Sequence, residues 1–356
     1  GLTELTRLSF YQNGISVGMG VNDLSPLAGL TQMKRLDLSV GFEVTDLDAL
    51  AGMTQLESLR LWGNSNNSNA SGIMDIGGLA GMTKLTSLNV NVGDVKDFSP
   101  LAGLTSLIDL NMYGEYVLED LSFLRNLTQL QNLHMSGNYS EGAPVIKDLS
   151  DLSGLTKLTS LQLNVPIASL DGLENLTKLR EMRMHGSNST YTDVDTLTNL
   201  TELVTLNLPY RQYNYDNPLP PVDISGLKNL TKLQELRVYN PASLEPLRGL
   251  TELRSLNLQS DSDTASLSLE PLSGLTKLTD LQFSGRVQNG DLSGLSGLTE
   301  LRALQIYHQS WVGNDYNNRI FIRDLSPLSG LTKLNSLQVN GAAENIDTSP
   351  VSFVSD

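Results

Sequence analysis

The chain has 356 residues, no cysteine and a net charge of −15. With no overall basic field to attract phosphates, nucleic acid and anionic membrane surfaces are poor partners. Without thiols there is no disulfide framework, no thiol chemistry and no cysteine-ligated metal. No stretch reaches the roughly 18 consecutive apolar residues of a spanning helix, so no membrane insertion is expected.

In chain order, Leu2 to Phe10 reads as a half repeat that supplies one strand. The pattern starts in mid-repeat at Leu2-Thr3, so a piece of a longer protein is expected, with Gly1 as a tag scar. The first full unit runs from Asp23 to Leu38, with apolar residues at Leu24, Leu27, Leu30, Met33, Leu36 and Leu38. Steps of three put side chains on one stripe of a tight 3₁₀ turn. The final step of two puts them on one face of a β-strand. Such a turn-plus-strand cannot bury its leucines alone, and further copies must stack against it.

Twelve more copies follow, starting at Asp46, Asp75, Asp97, Asp120, Asp148, Ser169, Asp193, Asp223, Ser243, Ser268, Asp291 and Asp324. The starts lie between 20 residues apart (Asp223 to Ser243) and 33 apart (Asp291 to Asp324). A core period of 20–23 with insertions is that of leucine-rich repeats. Asp347 to Val354 is a closing half copy. Residues 1–356 are thus expected to form one leucine-rich-repeat domain of 14 strands, with half repeats at 1–22 and 340–356. The Asp or Ser at each start suits a cap for the turn. Pro26, Pro100, Pro246, Pro271 and Pro327 sit just inside it, where a missing N–H costs nothing.

Alternation along each strand turns three residues per copy to the inner, concave surface. The first column begins Arg7, Arg35, Ser58. The middle column begins Ser9, Asp37, Arg60 and holds eight side-chain amides: Asn89, Asn111, Gln162, Asn207, Asn257, Gln282, Gln305 and Gln338. The third column carries Tyr11, Trp62, Tyr113, His185, Tyr239 and Tyr307, and His134 lies in the middle one. All Tyr and Trp residues fall outside the leucine slots, whereas Phe10, Phe98, Phe123, Phe283 and Phe353 replace core leucines. Tyr and Trp among Ser, Asn and Gly is the composition of adaptable binding surfaces; strand propensity alone is the competing explanation. Trp311 and several tyrosines lie in four long insertions, Trp62–Met74, Ser136–Lys147, Pro209–Val222 and Tyr307–Arg323, expected on one edge.

Candidate chemistry is sparse. Ser136, His134 and Asp109 could be assembled into a triad, but on an open sheet that excludes no water, so no enzyme is expected. Asp261 and Asp263 stand two apart, but Ser266 and Leu272 occupy the Gly and Glu positions of a calcium loop. No cofactor and no metal site are expected.

Asp23-Leu-Ser-Pro-Leu-Ala-Gly-Leu-Thr31, its close copy Asp324-Leu-Ser-Pro-Leu-Ser-Gly-Leu-Thr332, and the Asn-bearing Arg125-Asn-Leu-Thr128 and Lys228-Asn-Leu-Thr231 resemble the repeat of the internalins, surface proteins of Gram-positive bacteria. The resemblance implies an α/β-type solenoid. It would be a right-handed leucine-rich-repeat horseshoe, with a parallel β-sheet on the concave face and short 3₁₀ turns on the convex face. It also implies an extracellular location, secreted or attached to the cell wall, and recognition of other molecules through the concave face. The long insertions depart from the family's regular period. The family's Asn after the strand has counterparts only at Asn13, Asn64 and Asn138.

The expected function is therefore an adhesion module for a protein partner, a host surface receptor among the candidates, with the chain acting as a monomer. The residues expected to bind are Tyr11, Arg35, Arg60, Trp62, Tyr113, His134, His185, Tyr239, Tyr307 and Trp311. The arginines form a local basic patch suited to steering an acidic partner. Two alternatives stand beside this reading. One is glycan recognition by the amides with Trp62 or Tyr113 stacking on a sugar; the other is a spacer that presents another domain.

Overall fold

A computed structural model describes residues 2–10, 20–63, 72–137, 144–186, 188–211, 220–260, 266–308, 322–340 and 346–352. The chain forms two compact units. The first comprises Gly1–Pro166, Asp171–Leu179 and Met184–Gly186; the second comprises Ile167–Leu170, Arg180–Arg183 and Ser187–Asp356.

The first unit stacks β1 (Arg7–Phe10), β2 (Arg35–Val40), β3 (Ser58–Gly63), β4 (Ser87–Val92), β5 (Asp109–Gly114), β6 (Asn132–Ser136) and β7 (Ser160–Asn164) in chain order. Every pair is parallel and in the register set by the leucines: Leu8↔Leu36, Leu59↔Leu88, Leu110↔Leu133 and Leu133↔Leu161. The second unit holds β8 (Glu181–Met184) except its last residue, β9 (Thr205–Asn207), β10 (Glu235–Tyr239), β11 (Ser255–Gln259), β12 (Ser266–Leu267), β13 (Asp280–Val287), β14 (Ala303–His308) and β15 (Ser336–Asn340). Its strands are parallel too, with Leu206↔Leu236, Leu256↔Leu281 and Leu304↔Leu337 in register.

The fourteen expected strands are all present, and β12 is a further one. It arises because β13 runs on past its pairing with β14, so that Arg286 and Val287 pair with Ser266 and Leu267 of the preceding repeat.

Behind the strands the steps of three become 3₁₀ turns, such as Ser25–Leu27, Ser122–Leu124 and Ser326–Leu328. The capping works one residue earlier than a helix N-cap. Asp23 Oδ1 accepts the Ser25 N–H at 2.8 Å, and Ser25 Oγ donates to Asp23 Oδ2 at 2.8 Å. Asp97, Asp120, Asp148, Asp223, Asp291, Asp324 and Asp347 repeat the backbone bond. These are Asx turns, in which a short carboxylate satisfies an N–H two residues on. The serine bonds hold the carboxyls of Asp23, Asp97, Asp120, Asp148, Asp324 and Asp347 below their ordinary range.

The copy starting at Ser169 differs: no 3₁₀ turn forms there. Gly172 adopts φ +105°, and a Cβ on it would lie 2.4 Å from the Leu149 carbonyl. The backbone approach is so close that only glycine fits. Leu149 N–H donates to Asp171 O at 2.7 Å, so this copy is tied to the one before it through main chain.

The leucines form the core of each unit. Leu36, Leu59, Leu88, Leu161, Leu256 and Leu304 are buried, and so are most of their counterparts. The two end strands are exceptions: in β1 Phe10 is 57% exposed although it occupies a leucine slot, and in β15 Leu337 and Val339 are only part-buried. Burial in a stacked repeat needs a neighbour on both sides, and β1 pairs only with β2.

A second ladder runs along the turns of the second unit. Lys232 meets Glu202, Lys277 meets Glu252 and Lys333 meets Glu300, each at 2.6 Å. All six occupy the residue after the repeat's threonine. Their signs alternate from copy to copy, which places opposite charges side by side.

Candidate binding surface

The alternation that buries the leucines leaves three columns of polar and aromatic residues on the opposite face. Register confirms their membership: Arg35↔Ser58, Asn111↔His134, Asn91↔Tyr113, Asn257↔Gln282 and Ser284↔Tyr307.

In the first unit, Trp62 is 38% exposed at the end of β3. The Arg60 guanidinium lies 5.5 Å from its ring centre, and its Nη1 lies 3.4 Å from Asp37 Oδ2. Arg60 is therefore held between a ring and a carboxylate. The basic patch narrows accordingly, with Arg7 and Arg35 exposed and Arg60 paired.

Tyr113 and His134 meet edge to face, with ring centres 4.6 Å apart and the hydroxyl 3.2 Å from Nδ1. Burial, and then the charge of His185, holds the His134 imidazole below its ordinary pKa. Neutral at physiological pH, the imidazole shares one hydrogen bond with the tyrosine hydroxyl through Nδ1. Burial pushes the Tyr113 hydroxyl up. Asp109 accepts the Asn132 side-chain N–H at 2.5 Å, so the imagined triad is divided between other partners. His185 is exposed at the end of β8.

In the second unit, Tyr239 packs edge-on against Tyr210 at 5.2 Å, and Tyr210 is 40% exposed. Tyr307 donates its hydroxyl to Gln338 Oε1 at 3.0 Å. Tyr11, Trp311, Phe353, the Asp261–Asp263 pair, Asn13, Asn64, Asn138 and most of the four insertions lie outside the described residues.

Two tyrosines correct the expectation that Tyr outside the leucine slots is exposed. Tyr116 is buried, donates to Met112 O at 2.8 Å and packs edge-on to Phe98, which stacks on Phe123. Tyr191 is buried as well and donates to Pro209 O at 3.1 Å. The buried Arg211 lies 5.6 Å from the Tyr191 ring and donates to Pro220 O at 2.8 Å. These two residues therefore grip both ends of the Pro209–Val222 insertion beside Tyr210. Sequence reasoning passed over both, since neither belongs to the repeat. A tyrosine is buried when its hydroxyl finds a carbonyl.

Among solved structures, the chain is similar to an internalin (InlF) of Listeria monocytogenes. They share 30% identity and a TM-score of 0.61, over 78% of this chain and 74% of that one. This chain belongs to the internalin family. A second Listeria internalin, InlJ, matches over 96% of this chain and 76% of its own at 20% identity and TM-score 0.59. A leucine-rich-repeat protein of Leptospira interrogans matches over 96% and 79% at 17% identity and TM-score 0.66. These two show the fold alone. The InlJ domain includes a cysteine ladder; the present chain has no cysteine. No protein-family model matches the chain, and no curated relative does.

Proposed function

We propose that this internalin-family chain is an extracellular binding module for a protein partner, with adhesion to a host cell surface as its setting. The observation that carries the reading is the third column. Trp62, Tyr113, Tyr239 and Tyr307 stand on the strand face opposite the leucines, each braced by a neighbour: Arg60, His134, Tyr210 and Gln338. Braced aromatic side chains lose little conformational freedom on binding, which is what makes Tyr and Trp dominate interface energetics. A spacer has no need of them. Arg35, Arg60, His134 and His185 supply polar contacts around the unit 1 aromatics, and Tyr11 and Trp311 extend the set. Internalin-type repeats are binding scaffolds in this reading, and catalysis is no part of it.

The test is binding of the labelled chain to host cells. Changing Tyr11, Trp62, Tyr113, Tyr239 and Tyr307 together to Ser is expected to abolish it. Single changes at Trp62 or Tyr239 should weaken it by about 2 kcal/mol each. Undiminished adhesion by the fivefold variant would return the chain to the role of spacer.

A further inference from the structure

The polar face of the second unit sinks between β11, β13 and β14 into a depression of about 190 Å³. Two short residues, Ser255 and Ala303, flank Asp280 there. Ala303 presents a methyl group where its registered neighbour Asp280 presents a carboxylate, and the surface drops there. Around it stand Asn257, Gln282 and Gln305, at equivalent positions on three adjacent strands. Asn257 Nδ2 donates to Gln282 Oε1 at 2.6 Å, which orients both amides. Thr279 Oγ1 donates to Asp280 Oδ2 at 2.7 Å, which orients the carboxylate.

We propose that this depression is a subsite for one neutral sugar ring of a glycan. A carboxamide offers two donors and two acceptor lone pairs; Asn257 Oδ1 also accepts from Gln259 Nε2 at 3.4 Å, and the two bonds leave one donor and one lone pair on Asn257 and more on Gln282. Sugar hydroxyls both donate and accept, and a row of amides with one carboxylate matches neighbouring hydroxyl pairs. The lining itself includes a carboxylate and no cation, which favours a neutral sugar over an acidic one; the nearest registered cation is Arg237, beside Asn257 on β10. Drug-sized ligands occupy enclosed pockets of roughly 300–1,000 Å³. The smaller, open depression suits a single residue of a longer chain, and its floor offers no deep apolar pocket to anchor a peptide side chain. The subsite does not rest on the protein-partner reading.

Saturation-transfer NMR on the full chain tests it. The probes are free glucose, galactose, mannose, N-acetylglucosamine and N-acetylgalactosamine, with N-acetylneuraminic acid as the anionic sugar. At least one neutral sugar is expected to bind with a Kd on the order of a millimolar. Ala303→Phe fills the depression and Gln305→Leu removes an amide; each should weaken binding at least tenfold with the melting transition unchanged, while Lys96→Ala at an exposed site of the other unit leaves it intact. The proposal falls if no neutral sugar binds up to about 50 mM, if only N-acetylneuraminic acid binds, or if neither variant alters binding. It also falls if Ala303→Phe blocks a protein partner while no sugar binds, because the depression then belongs to a protein interface.

Discussion

Tyr191→Phe removes one buried oxygen from the second unit. The hydroxyl donates to Pro209 O at 3.1 Å, and the ring carries the Arg211 guanidinium 5.6 Å from its centre. Phenylalanine keeps the ring and its packing, so the change isolates the hydrogen bond. The bond's net worth is about 1 kcal/mol, and the Pro209 carbonyl, left buried without its donor, raises the cost to about 1–3 kcal/mol. In a repeat protein that loss acts locally before it acts on the whole chain. The proper assay is therefore amide hydrogen exchange at the ends of the insertion. Ser189 N–H donates to Tyr210 O at 3.3 Å, and Val222 N–H donates to Asn240 O at 2.7 Å. Each about 1.4 kcal/mol lost is a tenfold faster opening, so both amides should exchange roughly tenfold faster. Amides of β2 and β3 in the other unit should be unchanged. If Ser189 and Val222 exchange at wild-type rates, Tyr191 does not anchor the insertion.

Acid should loosen the turns. Serine bonds hold the carboxyls of Asp23, Asp97, Asp120, Asp148, Asp324 and Asp347 below the usual range, so the unfolded chain takes up protons first as pH falls. Their contribution is complete above the unfolded pKa and disappears as pH drops through the folded one. The urea midpoint should fall between about pH 5 and pH 2, and less steeply when Asp120 and Asp148 are changed to Asn; an identical slope would discount the turns. In the turn ladder, Lys277→Glu sets three glutamates in a row with Glu252 and Glu300. It should cost about 1 kcal/mol or less of unfolding free energy, read as a lower urea midpoint, with the loss shrinking in 1 M salt. A salt-independent loss would point to packing instead. His185→Ala removes a positive charge near His134, so the His134 imidazole should titrate at higher pH by NMR, yet stay below its ordinary value because burial persists. An unmoved titration would mean that the two rings do not sense each other.

The leucine slots and the three columns could be read directly from the chain. A one-residue slip would carry every leucine to the wrong face, so spacing alone sets the register. The Asp–Ser starts were equally legible, because an Asx turn needs only residues two apart. The neighbour that braces each exposed aromatic was not. Arg60 reaches Trp62 along one strand and Asp37 across to the next. Tyr116 and Tyr191 lie outside the repeat, and nothing in their local sequence distinguishes them from the exposed tyrosines. The alternating Glu and Lys from Glu202 to Lys333 occupy a fixed slot and were within reach. Their pairing takes meaning only when adjacent copies are superposed.

By itself, then, the sequence determined the repeat, the direction of stacking and which side chains leave the core, because each follows from periods of two and three within a single copy. The tertiary structure decided what those side chains do. It buried Tyr116 and Tyr191, seated Arg211 between the ends of an insertion, divided Asp109 from His134 and opened a depression at Ala303. The physical reason is that each outcome depends on a contact between copies 18 to 30 residues apart or between a repeat and an insertion. Such contacts follow the stacked surface, where one short residue in a column counts for as much as a long one.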